Sequence, residues 1–136
     1  MADNITLTQA DLIKRLLNNL PSGYTKAKVK TPNALFTTPS NSKWLRVSVI
    51  PFDTESDAAT GEFKITRGLC VIDVFYPKDS GDAAQMVDVQ SIRELYENQA
   101  FGNTQCQEAS ITVIGIDESW YNVQVNINFY MTGFSQ

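Results

Sequence analysis

The segment from Ser119 to Met131 alternates polar and apolar side chains over the length of a long β-strand. Successive residues of a strand point to opposite faces of a sheet, so its odd-numbered and even-numbered side chains lie on different faces. The odd face is apolar from Tyr121 onward and is predicted to cover a hydrophobic core. The even face carries amides between two aromatic residues: Trp120, Asn122, Gln124, Asn126, Asn128 and Tyr130. Amides and aromatic rings hydrogen-bond and pack without adding charge, which suits contact with a second protein surface.

The rest of the chain predicts an α+β domain. Apolar residues at helical spacing follow Thr8, a predicted N-cap, and stop before Pro21; a second helix is predicted from Asp79 or Ser80 to about Gln99. Strands are predicted at residues 24–30, 43–52, 63–76 and 110–116. The resulting order is αβββαββ over a single domain, residues 1–136, with two helices packed on one face of an antiparallel or mixed sheet.

Asp73 is the one charged residue in the apolar run Leu69 to Tyr76. A run that is apolar on both faces predicts a central strand, and a bare carboxylate is costly there. We therefore expect Asp73 to pair with a basic group or with backbone donors. Arg46 and Arg67 are the nearest basic candidates by strand order.

Catalytic and metal-binding chemistry finds little support in the composition. The chain has no histidine, which removes the commonest general base and the commonest metal ligand. An alternation of acids at Asp53 resembles a calcium loop, but Ala58 and Lys64 occupy the positions that need Gly and Glu. We expect no enzymatic activity, no cofactor and no metal. Cys70, in an apolar strand, and Cys106, in a polar connection, are expected to be free thiols.

Charge and hydropathy also limit the partners. The 15 acidic residues outnumber the 11 Lys and Arg, which disfavours binding to a phosphate backbone. Lys26, Lys28 and Lys30 alternate along a predicted strand, and we interpret them as a solvated face that discourages edge-to-edge aggregation, with phosphate contact as the alternative. No apolar run is long enough to cross a bilayer and no signal peptide is evident, so folding in a cytoplasm, away from membranes, is expected.

Two groups of residues are candidates for contact with a partner. The first is an acidic hairpin tip between the second and third predicted strands, formed by Asp53, Glu55, Asp57 and Glu62. The second combines two tryptophans, which fill a core or an interface equally well, with amides of the closing strand: Trp44, Trp120, Asn122 and Gln124.

Three segments carry a resemblance to a known family. They are the strand Trp44 to Pro51, the strand and helix start Arg67 to Gly81, and the closing Trp120 to Val125. Their order, spacing and length together resemble the tail terminator or tail-completion proteins of tailed bacteriophages, a family that includes a phage domain of formerly unknown function. The loop from Thr31 to Ser42 departs from that likeness.

The resemblance implies a structural protein of the virion, assembled in the host cytoplasm. Its copies would form a ring, usually a hexamer, on the head-proximal end of a long non-contractile tail of the siphovirus type. The implied partners are other copies of the chain, the tail tube protein and the head–tail connector, with DNA passing through without specific binding. The family has no catalytic site to carry over.

Two other interpretations stay open at this point. A head-completion or tail-tube subunit would have a similar small α+β body, and a tube subunit would polymerise where a terminator closes into a ring. A small-molecule-binding or enzymatic α+β domain would need a concave site with convergent polar groups.

Overall fold

The computed structural model describes residues 4–32, 34–56, 63–81, 83–102 and 104–134. This part of the chain confirms the α+β class, with two α-helices and a mixed sheet of six strands. In chain order the elements are α1 Asn4–Leu17, β1 Val29–Lys30, β2 Trp44–Ser56, β3 Phe63–Pro77, α2 Ala83–Tyr96, β4 Ala100–Phe101, β5 Thr104–Asp117 and β6 Trp120–Phe134.

The strand order across the sheet is β1-β2-β3-β6-β5-β4. β1 pairs with β2 in parallel, and the other neighbours pair antiparallel. β6 therefore lies between β3 and β5 although it is the last strand of the chain. The tight β5–β6 connection includes Glu118 in the left-handed region at φ 56°, which places the turn where the sequence predicted it.

The odd-numbered face of β6 lies on the core. Val123, Val125 and Ile127 are fully buried. The same cluster of buried residues contains Leu12 and Leu16 of α1 and, from α2, Val89, Ile92 and Tyr96. Complete burial of one such aliphatic side chain contributes about 1.5–3 kcal/mol, so this shared core accounts for most of what holds helices and sheet together. We call the sheet face that carries the even-numbered residues of β6 the outer face.

Polar groups also tie the helices to their neighbours. Gln85 of α2 is fully buried, and its Nε2 donates to the carbonyl oxygens of Val74 at 3.0 Å and Tyr121 at 2.9 Å. The Tyr96 hydroxyl donates to the Leu12 carbonyl oxygen at 2.7 Å, which joins α2 to α1. These bonds fix the position of α2 over β3 and β6.

Several local predictions were wrong for physical reasons. α1 begins at Asn4, so Thr8 lies inside the helix, where its buried hydroxyl donates to Met131 Sδ at 2.8 Å instead of capping. The segment before β1 forms a 3-10 turn at Lys26–Lys28 instead of extended strand. Cys106 lies in β5 and is fully buried, since that strand begins at Thr104, six residues before the start that its apolar pattern predicted. Within the described residues, neither helix has the length and apolar character needed to span a membrane.

Candidate functional site on the outer sheet face

Asp73 is the centre of a polar network on the outer face. Its side chain is nearly inaccessible, and it is the direct cross-strand neighbour of Arg46 on β2 and of Gln124 on β6. Arg46 Nε donates to Asp73 Oδ2 at 3.0 Å, while Oδ1 accepts from Gln124 Nε2 at 2.8 Å and from Asn122 Nδ2 at 3.2 Å. The predicted pairing of Asp73 is thus confirmed, with Arg46 as the basic partner, and the network has no net charge.

An aromatic cluster lies beside this network. Trp44 stacks on Phe75 with ring centroids 4.1 Å apart and meets Trp120 edge-on at 5.9 Å. Phe36, from the connection between β1 and β2, packs against Trp44 at 5.2 Å. The sequence identified both tryptophans but missed Phe36, because a lone aromatic residue in a Pro- and Thr-rich loop shows no periodicity. Aromatic pairs in these geometries add about 0.5–1.5 kcal/mol beyond the area they bury.

The four candidate contact residues on this face differ in accessibility. Trp44 and Asn122 are buried, at 6% and 4% exposure, and so support the surface from beneath. Trp120 and Gln124 are half-buried and keep part of their side chains accessible. Asn126 continues the amide row, donating from Nδ2 to Thr112 Oγ1 at 3.0 Å. The outer face can therefore offer amide and aromatic groups that are already held in place.

Two of the acidic candidates lie on the β2–β3 hairpin. Asp53 and Glu55 belong to β2, opposite Arg67 and Ile65 of β3, because β2 continues to Ser56, beyond its predicted end at residue 52. Asp57 and Glu62 lie outside the described residues. The structure therefore places the first two on a strand and leaves the hairpin tip as a prediction.

A second polar cluster, which the sequence analysis missed, lies on the helix side of the sheet around Asp88 of α2. Its Oδ2 accepts from the hydroxyls of Tyr24, at 3.0 Å, and Tyr76, and Lys43 Nζ lies 3.0 Å away. Lys43 also donates to the Ser22 carbonyl oxygen at 2.8 Å and lies over the Tyr24 ring. Burial, followed by the neighbouring carboxylate, raises the pKa of Tyr24 well above its ordinary value, and the same causes raise the pKa of Tyr76. The cluster connects four separate segments of the chain. The spacing of residues within α2 therefore could not predict it.

The chemistry available elsewhere is limited. Burial raises the pKa of the Cys106 thiol to about 11 and raises that of Cys70 further, so both thiols are protonated near neutral pH. Among the described residues, no group of three or more His, Cys, Asp or Glu is arranged to hold a metal ion. A groove of about 310 Å³ lies beside the start of α2, lined by Pro77, Asp79, Ser80, Gly81, Ile116 and Tyr121. Asp79 is the one carboxylate among these described lining residues, so they do not include a pair of carboxylates for acid–base chemistry.

Comparison with known proteins identifies a family and solved structures of similar fold. A sequence model of the family described as phage tail terminator protein matches residues 9–129 of this chain. A search of curated proteins gave no match. One solved structure aligns with 99% of this chain and 99% of its own, at a TM-score of 0.71 and 22% sequence identity. At that identity the likeness shows a shared fold.

Proposed function

Because the chain belongs to the phage tail terminator family, we propose that it caps the head-proximal end of the tail tube as a ring, stops tube polymerisation and offers the surface that joins the head. The observation that carries this proposal is the extent of the family match, which runs from within α1 to near the end of β6. The family is a structural one, which is consistent with a protein that catalyses no reaction.

The subunit that we propose for the ring is this α+β body with both helices on one side of the sheet. Its element order differs from the predicted αβββαββ because the short strand β4 pairs with the start of β5. Its outer face then stays available for neighbours, and the neutral Asp73 network and aromatic cluster give it a fixed shape. A preorganised surface loses little conformational entropy on binding. Such a body suits a hexameric ring whose partners are its own copies, the tube protein of a long non-contractile tail, and the head–tail connector.

DNA passing through the ring must not adhere to it. The net charge of -4 repels a phosphate backbone, and acidic residues of the β2–β3 hairpin would add to this repulsion where they face the lumen of the ring. We propose that this hairpin, with Asp53, Glu55, Asp57 and Glu62, projects from the body and contacts a ring neighbour or the tube end. The protein would assemble in the host cytoplasm and remain in the virion at the head-proximal end of the tail.

Tube growth in vitro tests the main proposal. The purified chain is added to its cognate tube protein during polymerisation, and tube lengths and ends are measured by negative-stain electron microscopy. We expect shorter tubes, each closed at one end by a ring, and no filaments of this chain alone. Filaments formed by the chain itself would indicate a tube subunit, and unchanged tube lengths would contradict termination.

A deletion tests the hairpin. Removal of residues Ser56 to Thr60 should leave the fold and stability nearly intact, because loop closure depends weakly on length. It should reduce ring formation or tail completion in a complementation assay. Full infectivity with unchanged rings would assign the contact elsewhere, most directly to the amide row of β6.

A further inference from the structure

One long edge of the sheet is open and apolar. Among the described residues, β5 beyond Ala109 pairs on one side only, with β6. Before that point its edge is closed by the chain that follows α2: Cys106 N–H donates to the Gln99 carbonyl oxygen at 2.8 Å. Beyond it, Val113, Ile114 and Ile116 are 56%, 50% and 66% exposed. An open apolar strand edge is a site of chain association, which soluble monomers normally protect.

The opposite edge of the sheet is complementary in charge. Here β1 and the turn before it carry Lys26 and Lys30, both exposed, and neither has an ion pair among the described residues. β5 carries Asp117 at the far end of this open edge and Glu108 just before the edge begins; both are exposed, and neither has an ion pair within the described chain. Further along the basic edge, Ile50 and Phe52 of β2 are 45% and 60% exposed, so both edges combine charge with apolar surface.

The two edges also match in level and direction. Pairing across the sheet puts Lys30 level with Arg46, and then, strand by strand, with Asp73, Gln124 and Thr112. The basic residues are thus at the same height as the open part of β5. One parallel and three antiparallel steps separate β1 from β5, so these strands run in opposite directions. A second copy, related by rotation about an axis along the strands, presents its β1 antiparallel to β5.

We infer that the partner of the β5 edge is a second copy of this chain, bound through its β1–β2 edge. The inference rests on the proposed ring and names its contact surfaces. The contact is heterologous, since one edge meets a different edge, and successive contacts of that kind close into a ring when the rotation per copy divides a full turn. Lys30 is then level with Thr112 of the neighbour, between Glu108 and Asp117, and Lys26 lies toward the Asp117 end, so a basic edge meets an acidic one and the charges can orient the two copies.

Charge reversal tests the contact. One variant carries Lys26→Glu and Lys30→Glu, which makes both edges acidic; the other carries Glu108→Lys and Asp117→Lys, which makes both edges basic. Each variant alone should associate about tenfold or more weakly than the wild type in sedimentation velocity. An equimolar mixture should recover the rings, because edges of opposite charge meet again in an alternating order. The fourfold variant should assemble by itself.

The control reverses two exposed helix residues, Lys14→Glu and Glu94→Lys, and should leave association unchanged. Circular dichroism and melting temperature verify that every variant folds. Normal association of both edge variants would overturn the inference. So would weaker association of the Glu108→Lys, Asp117→Lys variant alone that is not recovered on mixing, because that result would indicate contact between the β5 edges of two copies. Failure of the proposed function is separate: the wild type would then leave tube length unchanged, whatever the edge variants do to self-association.

Discussion

Replacement of Asp73 by alanine should destabilise the fold substantially. The carboxylate is 2% exposed and accepts from three side chains, so the change removes the acceptor from Arg46, Gln124 and Asn122 together. The Asn122 amide is itself buried and would be left without its acceptor. Leaving such a donor unsatisfied costs about 1–3 kcal/mol.

Loss of the ion pair with Arg46 contributes the rest of the decrease in stability. Breaking a fully buried pair costs about 3–5 kcal/mol, because the remaining charge stays out of water. The Arg46 side chain, however, is 40% exposed, so water can replace much of what it loses. We therefore expect a total loss of about 2–3 kcal/mol in the free energy of unfolding. For a chain of this length that corresponds to a fall of about 8 °C in melting temperature.

The assay is urea unfolding with a matched control. Asp117→Ala removes the same charge from an exposed position without an ion pair among the described residues, and should change stability by less than about 0.5 kcal/mol. Adding Arg46→Ala to each Asp73 background measures the coupling between the two residues. Equal effects of the Asp73 and Asp117 variants would refute the reasoning, because they would show that Asp73 is not held in a buried network.

Three further predictions follow from the close packing at Gly68 and from the buried hydroxyl of Tyr96 and thiols of Cys70 and Cys106. Gly68→Ala should cost about 1–3 kcal/mol in chemical unfolding, since a Cβ there would lie 2.8 Å from the Ile50 carbonyl oxygen; an unchanged midpoint would contradict the close approach. Burial raises the pKa of Tyr96 above its ordinary value and that of Cys106 to about 11. The stability that these two groups contribute is therefore fully present below their unfolded pKa values, about 8.5 for Cys and about 10 for Tyr, and is lost as pH rises toward the folded values. Urea midpoints should fall above about pH 9. Midpoints that stay constant up to about pH 11 would contradict the direction of these pKa shifts. Cys70 and Cys106 should react with a thiol reagent at pH 8 only as the chain unfolds, and rapid labelling of the native protein would show that one of them is accessible.

The sequence predicted those features that depend on one strand or one helix at a time. The alternation in β6 separated core from outer face correctly, and the isolated charge of Asp73 predicted a basic partner, which proved to be Arg46. Such signals work because strand geometry ties each side chain to a face whatever the rest of the fold does.

Features that depend on distant segments were missed. Asp88 gave no signal, because its partners Tyr24, Lys43 and Tyr76 come from three other places in the chain. Thr8 has the composition of a cap but serves as a buried donor to Met131, a residue far away in sequence. Local propensity is a weak guide wherever tertiary contact offers a hydroxyl a better partner.

The central position of β6 has a consequence for biosynthesis. β3 and β5 leave the ribosome before the strand that joins them, so the sheet exists only as two unconnected parts until translation of β6 is complete. The pairing of β6 with β3 is distant in sequence, and such pairings form late and slowly. A prematurely terminated chain that lacks β6 has no strand to join β3 to β5, and so no continuous sheet between its two edges. In the edge-to-edge ring inferred above, each subunit needs both edges, so the fold would screen out incomplete chains before assembly.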